Sequence, residues 1–81
     1  MKEAVTIGEI MRFHRKKSGL SQVQLAKLAG VGKTAVFDVE KGKESVQFNT
    51  LLKIMRVLNI KPDFTSPLIG EFNKLKEKEG K

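Results

Sequence analysis

Apolar residues recur three and four positions apart in four segments of the first 60 residues. This spacing places them on one face of an α-helix and predicts an amphipathic helix in each segment. The predicted helices cover about residues 7–17, 22–29, 33–42 and 48–58. Gly19, Gly30 and Gly42 mark the ends of the first three, in agreement with the preference for glycine just after a helix.

Two pairs of polar residues predict where helices begin. Thr6 with Glu9, and Ser21 with Gln24, have the spacing of a capping box. In such a box the first side chain bonds a backbone amide of the first turn, and the second side chain returns the bond. The first box predicts a helix start near Ile7, and the second predicts a start at Gln22.

The pattern changes after Asn59. Apolar and polar residues alternate over 60–65, which predicts a short strand, and Pro62 restricts that strand to the edge of a sheet. Ser66-Pro67 is typical of a helix start. The apolar residues that follow predict a short helix over about 67–76. The chain is thus expected to form a helical domain over 1–60 and a tail over 61–81.

Positive charge is concentrated in the helical region. The net charge is +7, and residues 1–60 hold 11 Lys and Arg against 5 Asp and Glu, whereas residues 61–81 hold 5 against 4. A field of this sign attracts a polyanion to the body of the protein rather than to its tail. Nucleic acid is the favoured partner, and solubility alone is the alternative.

The composition argues against several kinds of site. The 81 residues include no cysteine and one histidine, and the carboxylates are scattered. No disulfide, metal site or cofactor is therefore expected. No nucleophile–base pair and no paired carboxylates occur at usable spacing, so we expect no catalysis. The apolar runs are too short for a membrane span or a secretory signal, which predicts a cytoplasmic protein.

The segment from Gly19 to Lys43 resembles the helix-turn-helix proteins of the Cro and phage-repressor type, the XRE family. The resemblance covers about residues 6–59 and implies an all-α, lambda-repressor-like bundle of four helices. To this bundle the tail adds the short strand and the terminal helix. The resemblance also implies a homodimer that represses transcription from a palindromic operator in double-stranded DNA.

Residues 31–42 and 48–60 are most similar to HipB-type antitoxins. That likeness implies a partner, a HipA-like kinase toxin, and repression of an operon shared with it. The strand over 60–65 would then pair across the dimer. Two alternatives remain: a stand-alone or phage-type regulator without a toxin, and a coactivator-type module that bridges proteins.

The third predicted helix would enter the major groove of DNA. Its outward face carries the candidate base-contacting residues Lys33, Thr34, Phe37 and Asp38. Lys33 suits guanine and Asp38 suits cytosine. Thr34 can hydrogen-bond either of these bases or contact a thymine methyl group, and the Phe37 ring can also contact a thymine methyl group. Other roles are open: Lys33 could neutralise phosphate, Phe37 could pack against Phe48 or a neighbouring subunit, and Asp38 could repel DNA bound in a wrong register.

Phosphate contacts are expected at the start of the second helix and after the third, from Ser21, Gln22, Lys41, Gly42 and Lys43. In relatives the residue matching Gln22 also props side chains of the third helix. The resemblance further implies a structural salt bridge between Arg15 and Glu40. His14 lies on the apolar stripe of the first helix and is expected to be buried or half-buried.

The fourth helix carries more apolar residues than one edge of a small core requires. Part of this stripe, together with the tail, therefore predicts a dimer interface that contains Met55, Leu58, Ile60 and Phe64. The alternative is that the tail folds over the core of its own chain.

Overall fold

The computed structural model describes residues 2–80, which form five α-helices. These are α1 (Lys2–Lys17), α2 (Gln22–Ala29), α3 (Lys33–Glu40), α4 (Phe48–Val57) and α5 (Ile69–Glu79). The all-α fold class is confirmed. The bounds of α2 and α4 agree with the sequence pattern to within one residue.

The first four helices enclose one apolar core. Helix α2 packs against α3 and α4, and α1 packs against α3. Leu25, Val36 and Ile54 are completely enclosed. The whole core consists of Met11, Leu25, Ala26, Val36, Val39, Ile54, Met55 and Leu58.

The ends of α2 follow the sequence signals. The Gln24 N–H donates to Ser21 Oγ at 3.1 Å, and the Ser21 N–H donates to Gln24 Oε1 at 2.8 Å, so the second capping box is confirmed. At the other end Gly30 has φ = 71°, a conformation that favours glycine over residues with a side chain. The conformation of Gly30 therefore determines where α2 ends and where the turn to α3 begins.

The predicted start of α1 is wrong. The helix begins at Lys2, so Thr6 lies inside it and is not its cap. The residues before Thr6 extend the helix along the end of α3: Ala4 is half-buried, and Gly8 lies in close contact with the α3 backbone. This tertiary packing outweighs the local capping signal.

The predicted strand over 60–65 is also wrong. Residues 60–66 have no regular structure, and no strand occurs anywhere in residues 2–80. A strand needs a neighbour for its backbone hydrogen bonds, and the described chain offers none. The terminal helix is confirmed, although it begins at Ile69 and continues to Glu79. Ser66 Oγ accepts a hydrogen bond from the Leu68 N–H at 3.3 Å in the turn before it.

The apolar stripe of α4 is used mainly inside the chain. Met55 and Leu58 are 8% and 7% exposed, because α4 packs against both α2 and α3. They complete the core of their own chain, and their predicted place in a dimer interface stays a prediction. Ile60 is half-buried against this core, and Phe64 is largely exposed.

Candidate nucleic-acid interface

Helix α3 divides into an inner and an outer face. Val36 and Val39 are buried, whereas Lys33, Thr34 and Phe37 are exposed. Phe37 lies four positions after Lys33 and three after Thr34, and Asp38 lies four after Thr34. Residues with these spacings are neighbours on a helix surface, so the four form one continuous outer face. The structure thus brings the four predicted base-contacting residues together on one solvent-facing surface.

Phe37 lies under a cation. The Nζ of Lys41 is 5.0 Å from the centre of the Phe37 ring, within the range of a cation–π interaction. Phe37 is 45% exposed and Phe48 is 63% exposed, so neither ring is buried by the other. The predicted alternative of packing against Phe48 is therefore not supported. The Phe37–Lys41 pair was not predicted from the sequence, although its four-residue spacing is a recognisable signal.

Asp38 is paired with the other predicted phosphate-binding lysine. Lys43 Nζ donates to Asp38 Oδ2 at 3.5 Å, and the Lys43 N–H donates to the Asp38 carbonyl at 3.0 Å. The lysine side chain stays largely open to solvent, whereas the carboxylate is half-buried. The outer face of α3 therefore carries two lysine partners at its C-terminal end, one over a ring and one on a carboxylate.

The turn after α3 holds these lysines in place. Lys41 ends the helix, and its N–H donates a hydrogen bond to the Phe37 carbonyl. Gly42 follows with φ = 83°. Across the surface, Ser21 is exposed at the start of α2. The predicted phosphate-contacting residues therefore lie at the start of α2 and at the exit of α3, and the hydrogen bond from Gln22 to Glu40 brings these two places together.

Arg15 joins three parts of the bundle. Its Nε donates to Glu40 Oε2 at 2.6 Å, its Nη2 to Glu40 Oε1 at 3.0 Å and its Nη1 to the Leu20 carbonyl at 2.9 Å. The two side chains are 10% and 5% exposed. A bidentate pair of this kind fixes direction as well as distance. It ties α3 to α1 and to the turn that precedes α2.

Gln22 adds α2 to the same group. Its Nε2 donates to Glu40 Oε1 at 3.1 Å, so its amide props the end of α3. Within residues 2–80 no enclosed side-chain nitrogen or oxygen lacks a hydrogen-bond partner. His14, half-buried as expected, bonds the Ile10 carbonyl of its own helix through Nδ1 at 2.7 Å. The polar groups gathered around Glu40 therefore hold the C-terminal end of α3 and leave its outer face to a ligand.

Two short helices joined by a tight turn, the second supported from behind and polar on its outer face, define a helix-turn-helix DNA-binding module. Residues 11–64 match the helix-turn-helix family profile, and the chain belongs to this family. It is a DNA-binding regulator of transcription.

Relatives of known class support this assignment. The chain is 34% identical to the uncharacterised HTH-type transcriptional regulator y4mF of Sinorhizobium fredii, over 83% of this chain and 88% of that protein. It is 29% identical to the immunity repressor protein of Bacillus phage phi105, over 93% of this chain and half of the repressor.

A solved structure supports the fold. The restriction-modification controller protein C.AhdI from Aeromonas hydrophila superposes with a TM-score of 0.69 at 35% identity. The superposition covers 76% of this chain and 94% of the controller protein. In the described part of the chain, no helix has the length and apolar character needed to cross a membrane.

Proposed function

We propose that the protein is a transcriptional repressor that reads an operator in double-stranded DNA through α3 and has no catalytic role. One observation carries the proposal: Lys33, Thr34 and Phe37 are exposed on a helix whose C-terminal end is held by the Arg15–Glu40 pair. A rigid helix of this kind fits the major groove, where base edges differ from one pair to the next. Binding at a promoter would exclude polymerase.

The outer face of α3 contains donors, an acceptor and an apolar ring. Lys33 suits the guanine O6 and N7 acceptors, and the Asp38 carboxylate suits the cytosine amino group. The exposed edge of Phe37 suits a thymine methyl group. Ser21, Lys41, Gly42 and Lys43 would contact phosphates and fix the register of the helix on the duplex.

Selection from a random duplex pool tests this function. We expect enrichment of one short motif, and footprinting of the enriched duplex should protect it at salt concentrations that release random DNA. A variant with Thr34→Ala and Asp38→Ala should lose the motif preference and keep non-specific binding. If the wild-type chain enriches no motif and salt removes all binding, the proposal fails and the coactivator-type bridging module gains support.

The proposed repressor acts as a homodimer through α5. Phe72 and Leu75 lie along one side of this helix at helical spacing, Leu68 immediately precedes the helix, and each of the three is more than half exposed. An isolated helix of 11 residues is marginal in water, and α5 buries none of its residues against the rest of the chain. These facts favour a partner that covers the apolar side.

A second copy suits the charge of α5. The helix carries three Lys and three Glu, whereas the protein has a net charge of +7. Two cationic copies therefore repel each other least where their neutral helices meet, and a two-fold contact would cover both apolar sides at once. A neutral helix also offers little attraction to DNA.

A narrower candidate is an antitoxin that binds a HipA-like kinase toxin. The likeness over 31–42 and 48–60 favours it, and the uncovered side of α5 gives a toxin a place to bind. The absence of a strand at 60–65 removes one of its supports. Co-expression with the product of the adjacent gene tests the idea: a stable complex that Phe72→Asp disrupts would support an antitoxin. A homodimer that ignores the neighbour would favour a stand-alone regulator.

A further inference from the structure

Helix α1 touches the end of α3 backbone to backbone at Gly8. A Cβ atom at residue 8 would lie 2.5 Å from the Val39 carbonyl oxygen and 2.9 Å from that of Glu40. Both distances are far below van der Waals contact. The obstructing atoms belong to the main chain of α3, so no change of rotamer could make room.

The obstructing carbonyl is itself fixed in place. The Val39 oxygen accepts a hydrogen bond from the Gly42 N–H at 3.0 Å, which closes the turn after α3. A second close contact lies one turn away along α1. A Cβ at Gly42 would lie 3.1 Å from Val5 Cα, and φ = 83° there also disfavours a side chain. Together, Gly8 and Gly42 let the first two turns of α1 lie directly on the exit of α3.

We propose that Gly8 is a positioning residue for DNA reading: it sets how closely the C-terminal end of α3 approaches α1, and so the tilt of α3 in the groove. The Arg15–Glu40 pair links α1 to α3 through side chains, whereas the Gly8 contact joins the main chain of α1 directly to the main chain of α3. The proposal rests on the proposed function, because the consequence of the tilt is measured on DNA.

A side chain at residue 8 would disturb the candidate DNA contacts at both ends of α3. A methyl group at residue 8 pushes the Val39 and Glu40 carbonyls away from α1, and the turn that carries Lys41 and Lys43 moves with them. Lys33 and Thr34 lie at the other end of α3 and would be rotated against the base edges. Specific contacts depend on positions within a fraction of an ångström, whereas non-specific attraction to phosphate does not.

The test compares Gly8→Ala with Gly70→Ala as the matched control. Gly70 lies in α5 two positions before Phe72, away from the apolar side proposed as the dimer contact, and a Cβ there meets nothing within 4 Å. At a temperature where both variants are folded by circular dichroism, we expect Gly8→Ala to bind the selected operator about ten-fold more weakly, the size of one lost base contact. Its affinity for random duplex should stay near that of the wild type, and Gly70→Ala should match the wild type on both.

A readout without DNA separates the two proposals. Residual dipolar couplings should show α3 rotated relative to α1 in Gly8→Ala and unchanged in Gly70→Ala. An unchanged orientation, or an unchanged ratio of operator to random affinity in the folded variant, would overturn the positioning role. If instead the wild-type chain prefers no duplex, the repressor function fails while the couplings still decide whether Gly8 sets the helix.

Instability of Gly8→Ala would not remove the test. A ligand that binds the folded state restores folding by mass action, in proportion to its affinity. If the tilt is lost, the preference for operator over random duplex, measured as the ratio of the two concentrations that restore the helical signal, should be about ten-fold smaller than in the wild type. If the operator restores the signal at the lower concentration that its wild-type preference dictates, the positioning role is refuted.

Discussion

At the scale of single residues, the outer face of α3 couples each candidate base contact near its C-terminal end to a phosphate-binding candidate. Phe37 lies under Lys41, and Asp38 is bonded to Lys43 at 3.5 Å. A change at either position alters two roles at once. Variants should therefore be judged by base preference and by salt dependence together.

Replacing Asp38 with Asn should change the preferred base at one operator position. The amide loses the charge that accepts from cytosine, so discrimination there should fall by about 1–3 kcal/mol. Asp63→Asn removes the same charge from the exposed segment after α4 and serves as the control. Competition among single-base operator variants measures the effect. Equal behaviour of the two variants would mean that Asp38 reads no base.

Replacing Lys41 or Lys43 with Gln should weaken binding to all sequences alike. Each phosphate contact that is lost should reduce the slope of log affinity against log salt by about 0.9. Lys53→Gln, on the exposed side of α4, removes the same charge away from the interface. Titrations at several salt concentrations give the slopes. A slope that falls as much for Lys53→Gln would show general attraction rather than a phosphate contact.

At the scale of helices, the Arg15–Glu40 pair is the main polar link between α1 and α3. Arg15→Met should cost about 3–5 kcal/mol, because Glu40 then stays buried with its charge uncompensated. Arg12→Met, on the exposed side of α1, should change stability by less than about 0.5 kcal/mol. Urea denaturation measures both. A loss below about 1 kcal/mol for Arg15→Met would show that the pair is not needed to hold α3.

The sequence predicts well those helices whose ends are set by residues close by in the sequence. The Ser21–Gln24 box and Gly30 act within α2, and Gly42 follows α3 in a left-handed turn. Helix α1 starts earlier than its capping signal indicates, because residues before Thr6 pack against the end of α3. The alternation over 60–65 failed for a related reason, since a strand depends on a neighbour that the sequence pattern does not reveal.

The candidate site likewise has features that follow from sequence spacing and features that depend on how the helices pack. Helical spacing alone predicts that Lys33, Thr34 and Phe37 share a face. The Gln22–Glu40 bond and the Gly8 contact join residues 18 and about 31 positions apart in the sequence, and only the packed bundle brings them together. Burial of Met55 and Leu58 likewise depends on how α4 lies between its neighbours.

At the scale of the whole molecule, α5 lies outside the matched family segment, which ends at residue 64. If its apolar side forms the dimer, Phe72→Asp should shift sedimentation equilibrium to monomers and weaken operator binding at low protein concentration. Asn73→Asp adds the same charge at the next position and should leave the dimer intact. A Phe72→Asp protein that still sediments as a dimer would place the dimer interface on the bundle of α1 to α4.

Residues 60–66 connect the bundle of α1 to α4 with α5, so in a dimer joined through α5 they determine how far apart the two copies of α3 can bind. Paired half-sites should lie about 34 Å apart, one turn of the duplex. Residues 60–66 lack regular structure, and such a segment reaches about 23 Å when extended. A dimer joined only through α5 should therefore lose affinity when about five base pairs separate the half-sites further, and regain it at about ten, when both face the same side again. Gel-shift titrations of the three duplexes measure this. Equal loss at both insertions would mean that the two bodies touch directly, because a rigid dimer reaches only one spacing.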